Sequence, residues 1–304
     1  MNHNAGDGIE NSGIEDNASQ ETAFFPTATV AIIGLGLMGG SLALALRGRC
    51  AHLVGVDCDP AVVALALERQ VVEAASTEPT ALLPQADLVV LAVPVRASME
   101  ILHRLPEWHP GRALVLDLGS TKSMVLQAMT ALPERFDPLG GHPMCGKETG
   151  TLANAEASLY HQAPFALVPL QHTTQHARRV ALELVALLGA RPVWMGAAEH
   201  DRWVAATSHL PHLLATALAL STPPESAPLA GPGFRSTSRL AAGSAEMKID
   251  ILATNGPSVL EALARYRQQI DTLEDYLRRG DLEALQHLLA LGAERRQAFL
   301  AEGG

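Results

Sequence analysis

An apolar run, Val30-Ala31-Ile32-Ile33, breaks into Gly34-Leu35-Gly36-Leu37-Met38-Gly39, and a helical stretch follows at residues 41–47. This strand, turn and helix constrain the fold of the 304-residue chain more than any other segment. Gly34 permits a tight turn, Gly36 lets a ligand approach the backbone, and Gly39 lets the helix pack closely on the strand. Amides at the helix start attract an anion, so the turn suits a pyrophosphate. A lone glycine pattern of this kind is weak, because glycine turns between strands and helices are common. Here the flanks strengthen it. A second strand, residues 53–57, ends in Asp57, eighteen residues after Gly39. That is close to the spacing of roughly 20 at which an acid meets the adenosine ribose. The bland reading of Asp57 is a helix cap or a turn residue. As a ribose ligand it would repel a 2′-phosphate, so NAD is expected over NADP. Its expected contacts are Gly34, Gly36, Leu37, Met38, Gly39 and Asp57.

Further short apolar runs at residues 88–93, 113–117, 165–168 and 192–195 continue the strand series, and Pro60 stands where a helix begins. Strands alternating with helices mean a parallel sheet covered on both faces. The pattern changes near Gly196. From Glu199 onward the periodicity is helical. Residues 258–279 put Leu260, Leu263, Ala264, Ile270, Leu273 and Leu277 roughly on one face, and Gly280 separates them from an amphipathic stretch at 281–300. The expected fold is α/β, an N-terminal Rossmann-type doubly wound sheet followed by an all-helical C-terminal domain. Residues 1–26 are expected to form a disordered acidic tail and residues 27–196 the dinucleotide-binding domain. Residues 197–304 are then a helical substrate and dimerisation domain. Long apolar helices suggest a homodimer, although such helices also pack on one another.

Charge excludes some partners. Asp7, Glu10, Glu15, Asp16 and Glu21, with no Lys or Arg among them, supply half of the formal net charge of −10. A tail of this composition cannot bury enough surface to order itself. Neither part of the chain has the basic face of a nucleic-acid binder, so an anionic substrate must be held by a few placed cations. No apolar run suits a bilayer and no basic cluster precedes an apolar stretch, so neither membrane insertion nor secretion is expected. Cys50, Cys58 and Cys145 are scattered, without metal-ligand spacing, and read as reduced thiols of a cytoplasmic protein.

Three polar clusters stand out in an otherwise apolar chain. Gly119-Ser120-Thr121-Lys122 follows a strand, where open α/β sheets bind ligands, though Ser120 or Thr121 could equally cap a helix. In Gly140-Gly141-His142-Pro143-Met144-Cys145-Gly146-Lys147-Glu148 a histidine sits rigidly between a glycine pair and a proline, as suits a general base. Alone, it could be an ordinary loop histidine. Ser208-His209-Leu210-Pro211-His212 places two histidines three apart on one helical face. A metal pair there lacks a third ligand, and core or interface histidines are commoner, so no metal is expected.

Together with the stretch Gly231-Pro232-Gly233-Phe234-Arg235 through Arg239 and Leu240, these motifs resemble the prephenate/arogenate dehydrogenase family over essentially the whole chain after the tail. Five motifs in the right order are far more specific than any one. The resemblance implies that His142 is the catalytic histidine, drawing the proton from the substrate's ring hydroxyl. Ser120 would hold that histidine and touch the same hydroxyl or the nicotinamide. Arg239 would pair with a substrate carboxylate through its planar fork. His209 and His212 would line the pocket, Glu148 would border it, and Lys147 would be a further contact. Asp201 matches an acid read as structural, and Arg235 reads as half of a surface salt bridge.

Cys145 and Lys147 depart from the family's usual small apolar residue and threonine. Cys145 reads as packing; Lys147 either contacts a carboxylate or points into water. The His209/His212 pair is more like members that use prephenate, whereas the loop ending at Arg239 looks like those that use arogenate. Prephenate is expected, with arogenate as the alternative. The sequence ends soon after its last helix, so no regulatory domain is expected. Two readings from other classes remain. A hydroxyacid dehydrogenase would need a catalytic lysine on the helical domain, where Lys248 is the only lysine and lies outside the 208–212 helix. A non-catalytic nicotinamide-sensing module would have no use for His142, Ser120 and Arg239 together.

Overall fold

A computed structural model of the chain describes residues 23–147 and 149–303. The N-terminal half alternates strands and helices. It runs β1 (Thr29–Ile33), α1 (Leu37–Leu46), β2 (His52–Val56), α2 (Pro60–Glu68), β3 (Ala74–Ser76) and β4 (Leu88–Leu91). It continues with α3 (Val95–Trp108), β5 (Ala113–Asp117), α4 (Ser123–Thr130), β6 (Phe136–Pro143), β7 (Pro164–Pro169), α5 (Gln175–Leu187) and β8 (Arg191–Trp194). All eight strands form one sheet in the order β3-β2-β1-β4-β5-β6-β7-β8. The order reverses between β1 and β4, and ligands bind at such a switch point, outside the carboxyl ends of the strands.

The doubly wound expectation holds, with two differences. β7 pairs antiparallel with β6, so the last two strands run against the first six. In addition, β3 and β6 are strands that the sequence reading did not mark. β6 matters more, because it carries His142, paired in register with Ala166. His142 is therefore held in a central strand and not in a loop.

Alternation along the strands builds two cores. Val30 and Ile32 face one side, with Leu42 and Leu46 of α1 and Val180 and Leu184 of α5. Ala31 and Ile33 face the other, with Leu102 and Leu105 of α3 and Val125 and Met129 of α4. A sheet buried on both faces is the reason its strands read as continuous apolar runs.

Residues 1–22 of the expected tail lie outside the described residues, but its last residues do not behave as a tail. Phe25 is 1% exposed, and Phe24 and Phe25 donate their amides to the Glu183 carboxylate of α5. A pair of aromatic rings carries enough apolar surface to dock. The boundary at residue 26 is thus corrected: Phe24 and Phe25 belong to the domain.

After Gly196 the chain is helical: α6 (Ala197–Val204), a π-helical turn (Ala205–His209), α7 (Leu210–Ser221), α8 (Pro232–Ser238), α9 (Ala245–Arg279) and α10 (Leu282–Gly303). Gly280 closes α9 as expected. Within α9, Asn255 departs from helical geometry at φ −133° and ψ 24°, two residues before Pro257. A proline inside a helix lacks an amide and crowds the preceding turn, so the kink has a local cause. Helices of this half dock on the sheet domain by polar contacts. Asp250 pairs with Arg96 of α3, and the Thr121 and Thr254 hydroxyls lie 2.8 Å apart. Leu260, Leu277, Leu282, Leu289 and Phe299 stay exposed along α9 and α10.

Candidate active site

The glycine turn is sterically forced. Gly34 has φ +92°, and a Cβ there would lie 2.6 Å from the carbonyl oxygen of Ala92, after β4. A Cβ on Gly39 would come within 1.8 Å of the Gly34 carbonyl oxygen, so the helix sits as close to the turn as a backbone allows. The turn lies at the switch point and leads into the N-terminus of α1. These features fit a dinucleotide. Asp57, expected at the ribose, also braces the turn: one carboxylate oxygen accepts from the Leu35 amide at 2.7 Å, the other from Asp59 at 3.0 Å. The cap of α2 is Asp59, through the Ala61 amide. The Leu37 amide donates to the Gly150 carbonyl at 2.9 Å, and the Met38 carbonyl accepts from the Tyr160 hydroxyl at 2.6 Å. The segment after His142 therefore folds back over the glycine turn.

β1, β4, β5 and β6 are parallel, so the segments after their carboxyl ends share one edge of the sheet. This edge brings together Gly34, Ser120 and His142. His142 is buried, and its Nδ1 lies 2.9 Å from Nε2 of His200, on α6. Nδ1 of His200 lies 2.9 Å from Oδ1 of Asp201. The Asp201 carboxylate in turn accepts the Lys122 amide at Oδ1 and the Ser123 amide at Oδ2, each at 2.8 Å. Asp201 thus satisfies amides at the start of α4 that have no partner within that helix. Lys122 itself is fully buried and paired with Asp117 at the end of β5.

These surroundings set the charges. Burial pushes His142 well below the ordinary 6.5, and the neighbouring His200, Lys122 and His209 push the same way. Burial likewise lowers His200, against its hydrogen bond to Asp201, which acts upward. For Asp201 burial acts upward, but hydrogen bonds from His200, Ser123 and the two amides hold the carboxyl below its usual range. The pair of histidines is neutral at pH 7 and the aspartate is ionised.

Other expected residues fall in different places. Ser120 is half-buried at the same edge as His142, whose Nδ1 is bonded to His200. His209 is 2% exposed. Its Nδ1 lies 3.3 Å from the side-chain amide nitrogen of Asn255, and its Nε2 is buried without a protein partner. Burial pushes it down to about 4. His212, half-buried, reaches the Leu240 carbonyl at 3.4 Å, which ties α7 to the turn carrying the exposed Arg239. Lys147 pairs with Glu156 at 3.0 Å and donates to the Asn154 carbonyl, so it bonds its own domain. Arg235 donates to the Ala230 carbonyl where a surface salt bridge was expected. Glu148 lies outside the described residues.

Sequence reasoning missed His200, Asn255 and the Lys122–Asp117 pair. None had a local signal, since His200 is one polar residue in an amphipathic helix.

Comparison with known proteins bears on both halves. Residues 42–194 match the family profile of the prephenate dehydrogenase nucleotide-binding domain, and residues 196–291 that of the prephenate dehydrogenase dimerization domain. The chain is 32% identical over 271 residues to the prephenate dehydrogenase of Bacillus subtilis, covering 84% of this chain and 72% of the relative. It is 28% identical to the cyclohexadienyl dehydrogenase of Zymomonas mobilis, covering 90% and 95%. Among solved structures, the prephenate dehydrogenase from A. aeolicus in complex with hydroxyphenyl propionate and NAD+ superposes with a TM-score of 0.83 at 27% identity. That match covers 90% of this chain and 98% of the other. Synechocystis arogenate dehydrogenase matches with a TM-score of 0.78 at 29% identity, covering 89% and 99%.

Proposed function

The chain belongs to the prephenate dehydrogenase family, and we propose that it oxidatively decarboxylates prephenate to 4-hydroxyphenylpyruvate with reduction of NAD, a step of tyrosine biosynthesis. The observation that carries this reading is His142: a buried, neutral histidine on the same sheet edge as the dinucleotide turn. NAD held there would supply the acceptor for the hydride of the ring carbon that bears the hydroxyl. The chain's residues do the rest. His142 takes the hydroxyl proton as the hydride leaves; carbon dioxide then departs from the opposite ring carbon, the pair of the broken C–C bond makes the ring aromatic, and the phenolate oxygen takes the proton back. A base for this step must be unprotonated before it acts, and the burial of His142 keeps it so.

Ser120, beside the strand end, contacts the same hydroxyl or the nicotinamide. His209, His212 and Arg239 hold the substrate side chain and carboxylates from the helical half. The Gly34–Gly39 turn with Asp57 holds NAD, and the Asp57 carboxylate disfavours a 2′-phosphate. Residues 24–196 form the dinucleotide-binding domain and residues 197–304 the substrate and dimerisation domain. The exposed Leu260, Leu277, Leu289 and Phe299 support a homodimer through α9 and α10. Among the described residues no helix is long and apolar enough to cross a membrane. The free thiols Cys50, Cys58 and Cys145 support a reducing, cytoplasmic setting.

Arogenate differs from prephenate by an ammonium in place of a keto group, and the Synechocystis likeness keeps it as a second reading. The test offers the purified protein prephenate and arogenate, each with NAD and NADP, and follows reduced nicotinamide. Turnover is expected with prephenate and NAD. Silence in all four pairings, from protein that binds NAD, would overturn the assignment in favour of a sensing module.

A further inference from the structure

The hydrogen bonds around Asp201 fix where the protons of two histidines sit. The Lys122 and Ser123 amides are donors only, and both point at this carboxylate. An ionised carboxylate accepts only, so the 2.9 Å contact with His200 requires the proton on His200 Nδ1. Neutral His200 then presents a bare Nε2. The 2.9 Å contact between that nitrogen and His142 Nδ1 needs a proton of its own, and His142 Nδ1 must supply it. Neutral His142 is left with its lone pair on Nε2, outside the chain of hydrogen bonds.

We propose that His200 and Asp201 are positioning residues that hold His142 in the tautomer with a bare Nε2 and stabilise the imidazolium formed when Nε2 takes the substrate's hydroxyl proton. This rests on the reading of His142 as the base. The proton's route is explicit: the substrate O–H bond breaks, an N–H bond forms at Nε2, and the Nδ1 proton stays shared with His200. The charges facing the pair suit that event. Lys122 and Asp117, from the end of β5 and the turn after it, cancel one another, and His209 is neutral. Asp201 alone is left unbalanced, and the imidazolium neutralises it through His200. A carboxylate, an imidazole and a basic imidazole in line reproduce the orienting logic of a catalytic triad, in which the acid fixes the tautomer and is not itself protonated.

The test compares His142→Asn, Asp201→Asn, His200→Leu and His200→Gln for NAD binding, kcat, KM and pH profile. It adds 15N NMR of histidine-labelled wild-type protein, assigned with His142→Asn. The spectrum is expected to show His142 protonated at Nδ1 and bare at Nε2; the opposite tautomer would overturn the proposal even if none of the His200 and Asp201 variants folded. Asp201→Asn is expected to lower kcat by on the order of 10³–10⁴-fold, as when the acid of a triad becomes an amide, with NAD affinity and KM little changed. A glutamine oxygen can still accept the His142 Nδ1 proton. His200→Gln should therefore retain roughly tenfold more turnover than His200→Leu, the worth of one hydrogen bond to a charged group. Equal and near-normal kcat in both His200 variants, with His142→Asn inactive, would remove the relay and leave the base. Near-normal kcat in His142→Asn would remove both.

Discussion

Acid should unfold this protein through its buried histidines before its carboxylates are reached. His209 is 2% exposed and is pushed from 6.5 down to about 4 by burial. Asp201 opposes that shift, while His200 and His212 add to it. Asn255 of α9 brings its side-chain amide nitrogen within 3.3 Å of the ring Nδ1. Because the folded pKa is depressed, the unfolded chain binds the proton more readily, and stability falls as pH falls below 6.5. With 6.5 unfolded and about 4 folded, linkage gives a loss of about 2 kcal/mol between pH 7.5 and pH 5 from His209 alone. His142 and His200 shift in the same direction and add to it. Asp201, held below the usual carboxylate range, contributes stability that is lost only at lower pH. Against a typical total of 5–15 kcal/mol, about 2 is a large share. The assay is urea denaturation at fixed protein concentration without NAD. At a slope near 3 kcal/mol/M, the midpoint should drop by ~0.7 M or more at pH 5. His209→Gln should remove the His209 share of that drop. A midpoint unchanged between pH 7.5 and pH 5 would refute the argument, since it would mean that these rings are not held neutral by burial.

Three further outcomes are expected. Phe25→Ala should destabilise the fold by about 3–5 kcal/mol, the cost of emptying a fully buried aromatic site, as read by thermal or urea unfolding. Gly39→Ala should abolish NAD binding in calorimetry, because its Cβ would overlap the Gly34 carbonyl and the turn must open. Arg239→Ala should raise KM for prephenate by roughly thirtyfold or more with a smaller change in kcat, since one substrate charge pair can be worth about 2–5 kcal/mol; an unchanged KM would take Arg239 out of the site.

The parts of the fold that were legible in the sequence are those decided within a few residues. Val30–Ile33 reads as a buried strand because a glycine turn and a helical stretch follow it at once. β6 shows the opposite case. Its sequence, Phe136 to Pro143, holds two prolines and a glycine pair, which are poor strand formers. Only its neighbours, β5 on one side and β7 on the other, make it a strand. A local reading therefore left the strand that supports His142 unmarked. The tail boundary failed for a related reason. Acidic, polar composition was extended across Phe24 and Phe25, whose binding surface on α5 lies more than 150 residues away.

The site divides along the same line. Residues proposed to act through their own segment, His142 and the glycine turn, stand out in the sequence by pattern and resemblance. Residues that act through a partner do not, because their meaning depends on contacts between domains. Asp201 had been read as structural. It does cap α4, and the same carboxylate orients His200. The two roles are one arrangement, since the amides that make Asp201 structural also keep it ionised, so that the proton in its contact with His200 must sit on His200 Nδ1. On this proposal, a cap that anchors one domain to the other also sets the tautomer of His142 on β6. Any change that loosened this anchoring, at Asp250 or Thr254 as much as at Asp201, should reach the chemistry through His142 and lower kcat before it disturbs the binding of NAD.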